Sequence, residues 1–235
     1  MLLNEIKYVI FFDYIKDIRR YLYEIETFLQ GQNLFSAIVG VNHISDESDP
    51  FSPRLHIIKE IDDKRINIIV SQISITIVVQ YKNDYSLEYL DDEEKYIHDI
   101  VINIRTYLKT LISEFVICFE SFSVIVNKIY TDFDDVTVQE VTENQDESRN
   151  ITSTEVDDNL FLIEDTSVYK TYKQTQSIIH PILVKNKTDN FIGWNVVLRK
   201  EINNRLEYNN TENSNGLLNF DQAINLLNNS LSKGK

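Results

Sequence analysis

The chain has 235 residues, 43% of them hydrophobic and 26% charged, with only 5 Gly and 3 Pro, a composition that excludes a disordered tail and supplies a sizeable core. Its formal net charge of -14 argues against a general nucleic-acid binder, because neutralising phosphates takes clustered Lys and Arg. The single cysteine, Cys118, excludes an intramolecular disulfide and a zinc site built from several thiolates.

In chain order, the apolar run 6–12 predicts a strand, with Asp13 placed to cap a helix behind it. Across 14–30, Ile15, Ile18, Leu22, Ile25 and Leu29 recur at steps of three and four, the period of an amphipathic helix, and Gly31 stands at its end. Tyr14, Tyr21 and Phe28 widen the apolar arc of that helix and form the first interface candidate. Residues 34–41 read as a second strand, and 42–53, with two prolines and several acids, as an exposed loop. Segments 54–61 and 66–70 flank Asp62, Asp63 and Lys64 as a hairpin.

The clearest strand signal is I-N-I-I-V-S-Q-I-S-I-T-I-V-V-Q-Y over 66–81. Ile73, Ile75, Ile77 and Val79 fall on one face, while Ser74, Thr76 and Gln80 fall on the other and form the second interface candidate. A second helix follows Tyr85. Asp91 and Glu94 have the spacing of a capping pair, and its apolar face is Ile97, Ile100, Val101, Ile104, Leu108 and Leu111. Residues 115–130 predict a long central strand with a bulge, or two strands around Glu120 and Ser121, and Cys118 in V-I-C-F reads as a small buried side chain. From 131 to 159 the chain is acidic and reads as a linker or mobile loop, with one strand through Val136, Val138 and Val141. Strands are expected at 160–163, 177–184, 191–198 and 205–208, and Asn219 caps a closing helix lined by Phe220, Ala223, Ile224, Leu227 and Leu231.

These elements give an α+β fold: a largely antiparallel sheet covered by two amphipathic helices over 1–130, the acidic connection over 131–159, and a smaller β-rich portion with a closing helix over 160–235. Whether that last portion is a separate domain stays open. The patterns I-N-I-I-V-S-Q-I-S-I-T-I, V-I-V-N-K-I-Y and L-L-N-F-D-Q-A-I-N-L-L resemble a sporadically distributed family of uncharacterised prokaryotic proteins of about this length. The resemblance implies an α+β fold and a prokaryotic or phage origin, and brings no catalytic residue with it.

Chemistry-bearing motifs are few. The glycines are isolated, so no phosphate-binding loop is formed, and His43, His56, His98 and His180 have no metal-ligand spacing. Glu120, Asp132, Asp134 and Asp135 are the candidates for a divalent-cation site of the nuclease or hydrolase type, although a solvated acidic segment would contain the same residues. No cofactor and no catalytic residue are assigned. Lys16, Arg19 and Arg20 make one small basic patch, so direct nucleic-acid binding is not expected.

No apolar run reaches the roughly 18 to 20 residues of a membrane helix. The opening M-L-L-N-E-I-K lacks the pattern of a secretion signal, so a cytoplasmic location without a membrane partner is expected. The expected function is a non-enzymatic protein-interaction or assembly component of a bacterium or phage, in a defence or counter-defence system, with a protein partner and self-association. The alternatives are a metal-dependent hydrolase or nuclease and an acidic DNA mimic that inhibits a DNA-binding enzyme.

Overall fold

A computed structural model of the chain describes residues 2–31, 38–41, 45, 47–61, 63–82, 85–86, 89–112, 115–130, 147–157, 160–179, 182–204 and 218–232. Its strands are β1 (Leu2–Phe12), β2 (Ile38–Val41), β3 (Leu55–Ile61), β4 (Lys64–Val70), β5 (Ser74–Tyr81), β6 (Ile117–Tyr130), β7 (Glu147–Asp157), β8 (Leu160–Ile179) and β9 (Ile182–Asn203). Its helices are α1 (Leu22–Gly31), α2 (Leu90–Leu111) and α3 (Phe220–Ser232). The strands make one antiparallel sheet in the order β2-β3-β4-β5-β1-β6-β9-β8-β7. The fold is α+β, and the strands from 147 onward extend the same sheet as those before 130.

Period-two alternation sets the core. Ile6, Tyr8, Ile10 and Phe12 of β1, Ile66, Ile68 and Val70 of β4, Ile75, Ile77 and Val79 of β5, and Phe122, Val124 and Val126 of β6 are all buried on one face. The helices answer with Ile25 and Leu29 of α1, Ile97, Ile100, Val101, Ile104 and Leu108 of α2, and Ala223, Leu227 and Leu231 of α3. Each fully buried side chain of this size contributes about 1.5–3 kcal/mol relative to exposure. Ile25, Phe28 and Leu29 of α1 and Ile104, Tyr107 and Leu108 of α2 enclose, with Ile68, Val70 and Ile75, a gap of only about 10 Å³.

The first helix starts later than its periodicity predicts. Residues 18–21 form a single 3-10 turn and α1 begins at Leu22. Tertiary hydrogen bonds hold the preceding segment: the Ile15 amide donates to the Gln72 carbonyl at 2.9 Å, and Gln72 Nε2 donates to the Lys16 carbonyl at 2.7 Å. Asp13 is not a cap, since the helical segment begins only at Ile18 and the Asp13 carboxylate accepts from Cys118 Sγ instead. At α2 the predicted capping pair is also corrected. The helix already begins at Leu90 after Tyr89, which makes no side-chain cap bond, and Glu94 is buried and accepts from Asn228 of α3 at 3.4 Å.

Residues 117–130 form one strand rather than two. Phe11 pairs with Phe119 and Phe12 with Ile117, so Cys118 is the extra residue of a bulge. That bulge lets apolar residues of both parities be used, and it corrects the reading of Cys118, which is exposed. The C-terminal half differs more. Part of the acidic segment is β7, and the predicted strand 177–184 spans the end of one long strand, Ile179, and the start of the next, Ile182. The strand through Val136, Val138 and Val141 and the one at 205–208 lie outside the described residues. Asn219 does cap α3, its Oδ1 accepting from the Gln222 amide at 3.2 Å.

Candidate functional site

Three buried polar centres stand out, each held by residues of the fold. In the first, Glu120 of β6 is fully buried and takes two hydrogen bonds from Arg105 of α2, one of them from Nε to Oε1 at 2.7 Å. Arg105 also donates to the Tyr8 hydroxyl, and the Leu218 amide donates to Glu120 Oε2 at 2.7 Å. Burial pushes the Glu120 carboxyl above the ordinary range although Arg105 opposes it, and burial with the neighbouring Glu120 pushes the Tyr8 phenol well up. The arrangement fastens the start of α3 to the sheet.

In the second centre, Glu93 of α2 accepts both bonds of Lys64 at 2.9 Å and one bond each from the Tyr81 and Tyr85 hydroxyls at 2.8 Å. Burial and Glu93 raise both phenols, so they stay donors. The third is Arg54, fully buried, which donates to the Ser52 carbonyl at 2.6 Å, the Ser45 carbonyl at 3.3 Å and Gln72 Oε1 at 2.7 Å. These bonds fix the loop before β3. The Glu93 and Glu120 centres spend their carboxylates on fold contacts and set geometry, whereas at Arg54 the buried Nε is left without a hydrogen-bond partner among the described residues.

The predicted metal candidates are not assembled among the described residues. Glu120 lies ten strand residues, about 33 Å, before the end of β6, and faces the helices. Asp132, Asp134 and Asp135 lie outside the described residues, and no group of three His, Cys, Asp or Glu able to hold a metal occurs among the described ones. His56 meets Asn67 at 3.3 Å, His98 lies half-buried on α2, and His43 and His180 are outside the described residues. Cys118 Sγ donates to Asp13 Oδ1 at 3.2 Å; partial burial and that contact push its thiol up to about 11, away from a reactive thiolate.

The three residues of the aromatic edge are spread over different local structures. Tyr14 precedes the helical segment and is 52% exposed, Tyr21 closes the 3-10 turn half-buried, and the Phe28 ring stacks on Tyr107 of α2 at 4.0 Å between centroids. On the opposite face of the sheet, Ser74 is buried and bonds Ser71 Oγ at 2.9 Å, Thr76 is half-buried between Val9 and Ile69, and the exposed Gln80 donates to Glu5 Oε2 at 3.1 Å.

What the sequence reading missed is the far edge of the sheet. β7 is the last strand, pairing only with β8 among the described residues. Its 11 residues, E-S-R-N-I-T-S-T-E-V-D, include no Lys or Pro, and residues 149–155 are exposed throughout. The Ile151 side chain is 56% exposed. The signal was present in the β-branched residues Ile151, Thr152, Thr154 and Val156, but the acids around them read as linker. Arg149 holds β7 to its neighbour, Nε donating to Asp165 Oδ1 at 2.9 Å, and this bond keeps the Asp165 carboxyl below the ordinary carboxylate range. At the opposite edge, β2 has four residues among the described ones.

Beside β7, the β8–β9 pair outruns the described parts of its flanking strands. β7 reaches Tyr169 and β6 reaches Trp194, while the hairpin pairs on with itself to Ile179 and Ile182. The described sheet thus ends in β7 and a two-stranded ribbon. Comparison of the chain with models of known protein families, with curated proteins and with solved structures finds no match.

Proposed function

We propose that the chain is a protein-interaction or assembly component whose β7 edge takes up an extended strand of a partner. The observation that carries this reading is the long, exposed, Lys- and Pro-free strand at the edge of the sheet formed by the described residues. An edge strand presents a row of backbone donors and acceptors, and natural proteins blunt such rows by shortness, Pro, Lys or cover. At β7, strand addition would supply main-chain hydrogen bonds, with Arg149, Ile151, Ser153 and Glu155 alternating along one face to select the incoming side chains.

The test compares wild type with Ile151→Lys, which places a charge on the exposed edge without touching the core. Capture of a second, differently tagged copy of the chain or of a protein from a bacterial lysate, with amide exchange mapped over 149–155, should yield a partner that protects this stretch and is lost with the variant. Identical capture by both proteins, or magnesium-dependent hydrolysis of nucleic acid or phosphoesters by the purified chain, would overturn the reading.

A further inference from the structure

We infer that the strand taken up by β7 is β7 of a second copy of this chain, paired antiparallel about Thr152; this rests on the edge-addition reading above. The regular part of the strand ends at a bulge between Glu155 and Asp157. Centring a twofold axis on Thr152 pairs Arg149 with Glu155, Asn150 with Thr154, Ile151 with Ser153, and Thr152 with its own counterpart. An isologous contact demands this kind of self-complementarity.

Within the regular stretch 149–155, which leaves out the acidic ends Glu147 and Asp157, charge argues for that partner and register. The chain carries -14 overall, so two copies repel unless local charges are matched. Arg149 is the one basic residue of β7, and its side chain is 61% exposed. About Thr152 it meets the partner's Glu155 on both sides of the axis, and opposite charges directly across an antiparallel pair are favourable where like charges are not. The two Ile151 side chains become diagonal neighbours beside the axis, covering apolar surface that the single chain leaves exposed. The result is one sheet continuous across two chains.

The full chain is studied by light scattering and sedimentation as wild type, Glu155→Arg, Arg149→Glu, an equimolar mixture of those two, and Ile151→Lys. Wild type should run at twice the 27.6 kDa chain mass. Each charge reversal sets like charges opposite one another twice and should weaken association about tenfold or more. The mixture should recover a one-to-one dimer, because both cross-pairs become Arg with Glu again. Arg149→Glu also puts an acid beside Asp165, so thermal melting checks that each variant folds, and Ile151→Lys tests the edge with both charged residues retained. A dimer indifferent to Glu155→Arg and Ile151→Lys overturns the inference. A monomeric wild type that still captures a foreign strand through residues 149–155 overturns the inference alone; loss of that capture as well removes the reading beneath it.

Discussion

Arg105 and Glu120 form a buried, two-bond ion pair that joins the middle helix to the sheet and, through the Leu218 amide, to the last helix. Removing one partner of such a pair strands the other charge. Arg105→Met should therefore cost about 3–5 kcal/mol in urea unfolding, whereas the double change with Glu120→Leu should recover much of it. A cost below about 1 kcal/mol for the single variant would mean that the pair does not hold α3 in place.

The Asp165 carboxyl has a defined sign of pH dependence. The bond from Arg149 lowers its folded pKa below the unfolded value of about 3.9, so its contribution is present above that value and is lost as pH falls through the folded one. Because Arg149 is largely exposed, the contribution is at most about 1 kcal/mol. Asp165→Asn should lower stability by up to that amount at pH 7, and the difference should fade as pH drops through the folded value. A gap that persists in acid would assign the effect to packing instead.

Cys118 should be a slow thiol despite its exposure. With its pKa pushed up to about 11, its thiolate fraction at pH 8 falls about a hundredfold below that of a free cysteine. Alkylation at pH 8 should be slower by that factor in the native protein, return to the free rate in urea, and speed up in Asp13→Asn. A native rate equal to the denatured one would contradict the Asp13 contact.

The β8–β9 ribbon beyond Tyr169 and Trp194 pairs only with itself among the described strands. Replacing residues 171–193 with Asn-Gly, a two-residue hairpin turn, should leave the melting temperature of the body within a few degrees. A collapse of the melting transition would make the ribbon part of the fold.

Local patterns were legible where one element carried them whole. The alternation of Ile75, Ile77 and Val79 and the stripe from Ile97 to Leu108 predict their buried faces because period alone decides them. Asn219 was legible because capping acts within one turn. The start of α1 was not, since Gln72, far along the chain, ties down the backbone at Ile15 and Lys16. The bulge at Cys118 depends on β1, and the fixation of Glu120 depends on Arg105 and Leu218, neither of which its own neighbours reveal. β7 was hidden because the residues of an exposed edge look like those of a solvated loop.

Amide exchange on residues 149–155, followed as the protein is concentrated, tests the edge most directly. The exposed side of a free β7 exchanges quickly; strand addition by a second copy should slow it with rising concentration, in step with the gain in mass. Exchange that stays fast at every concentration, with the mass fixed at that of one chain, would contradict the self-pairing account.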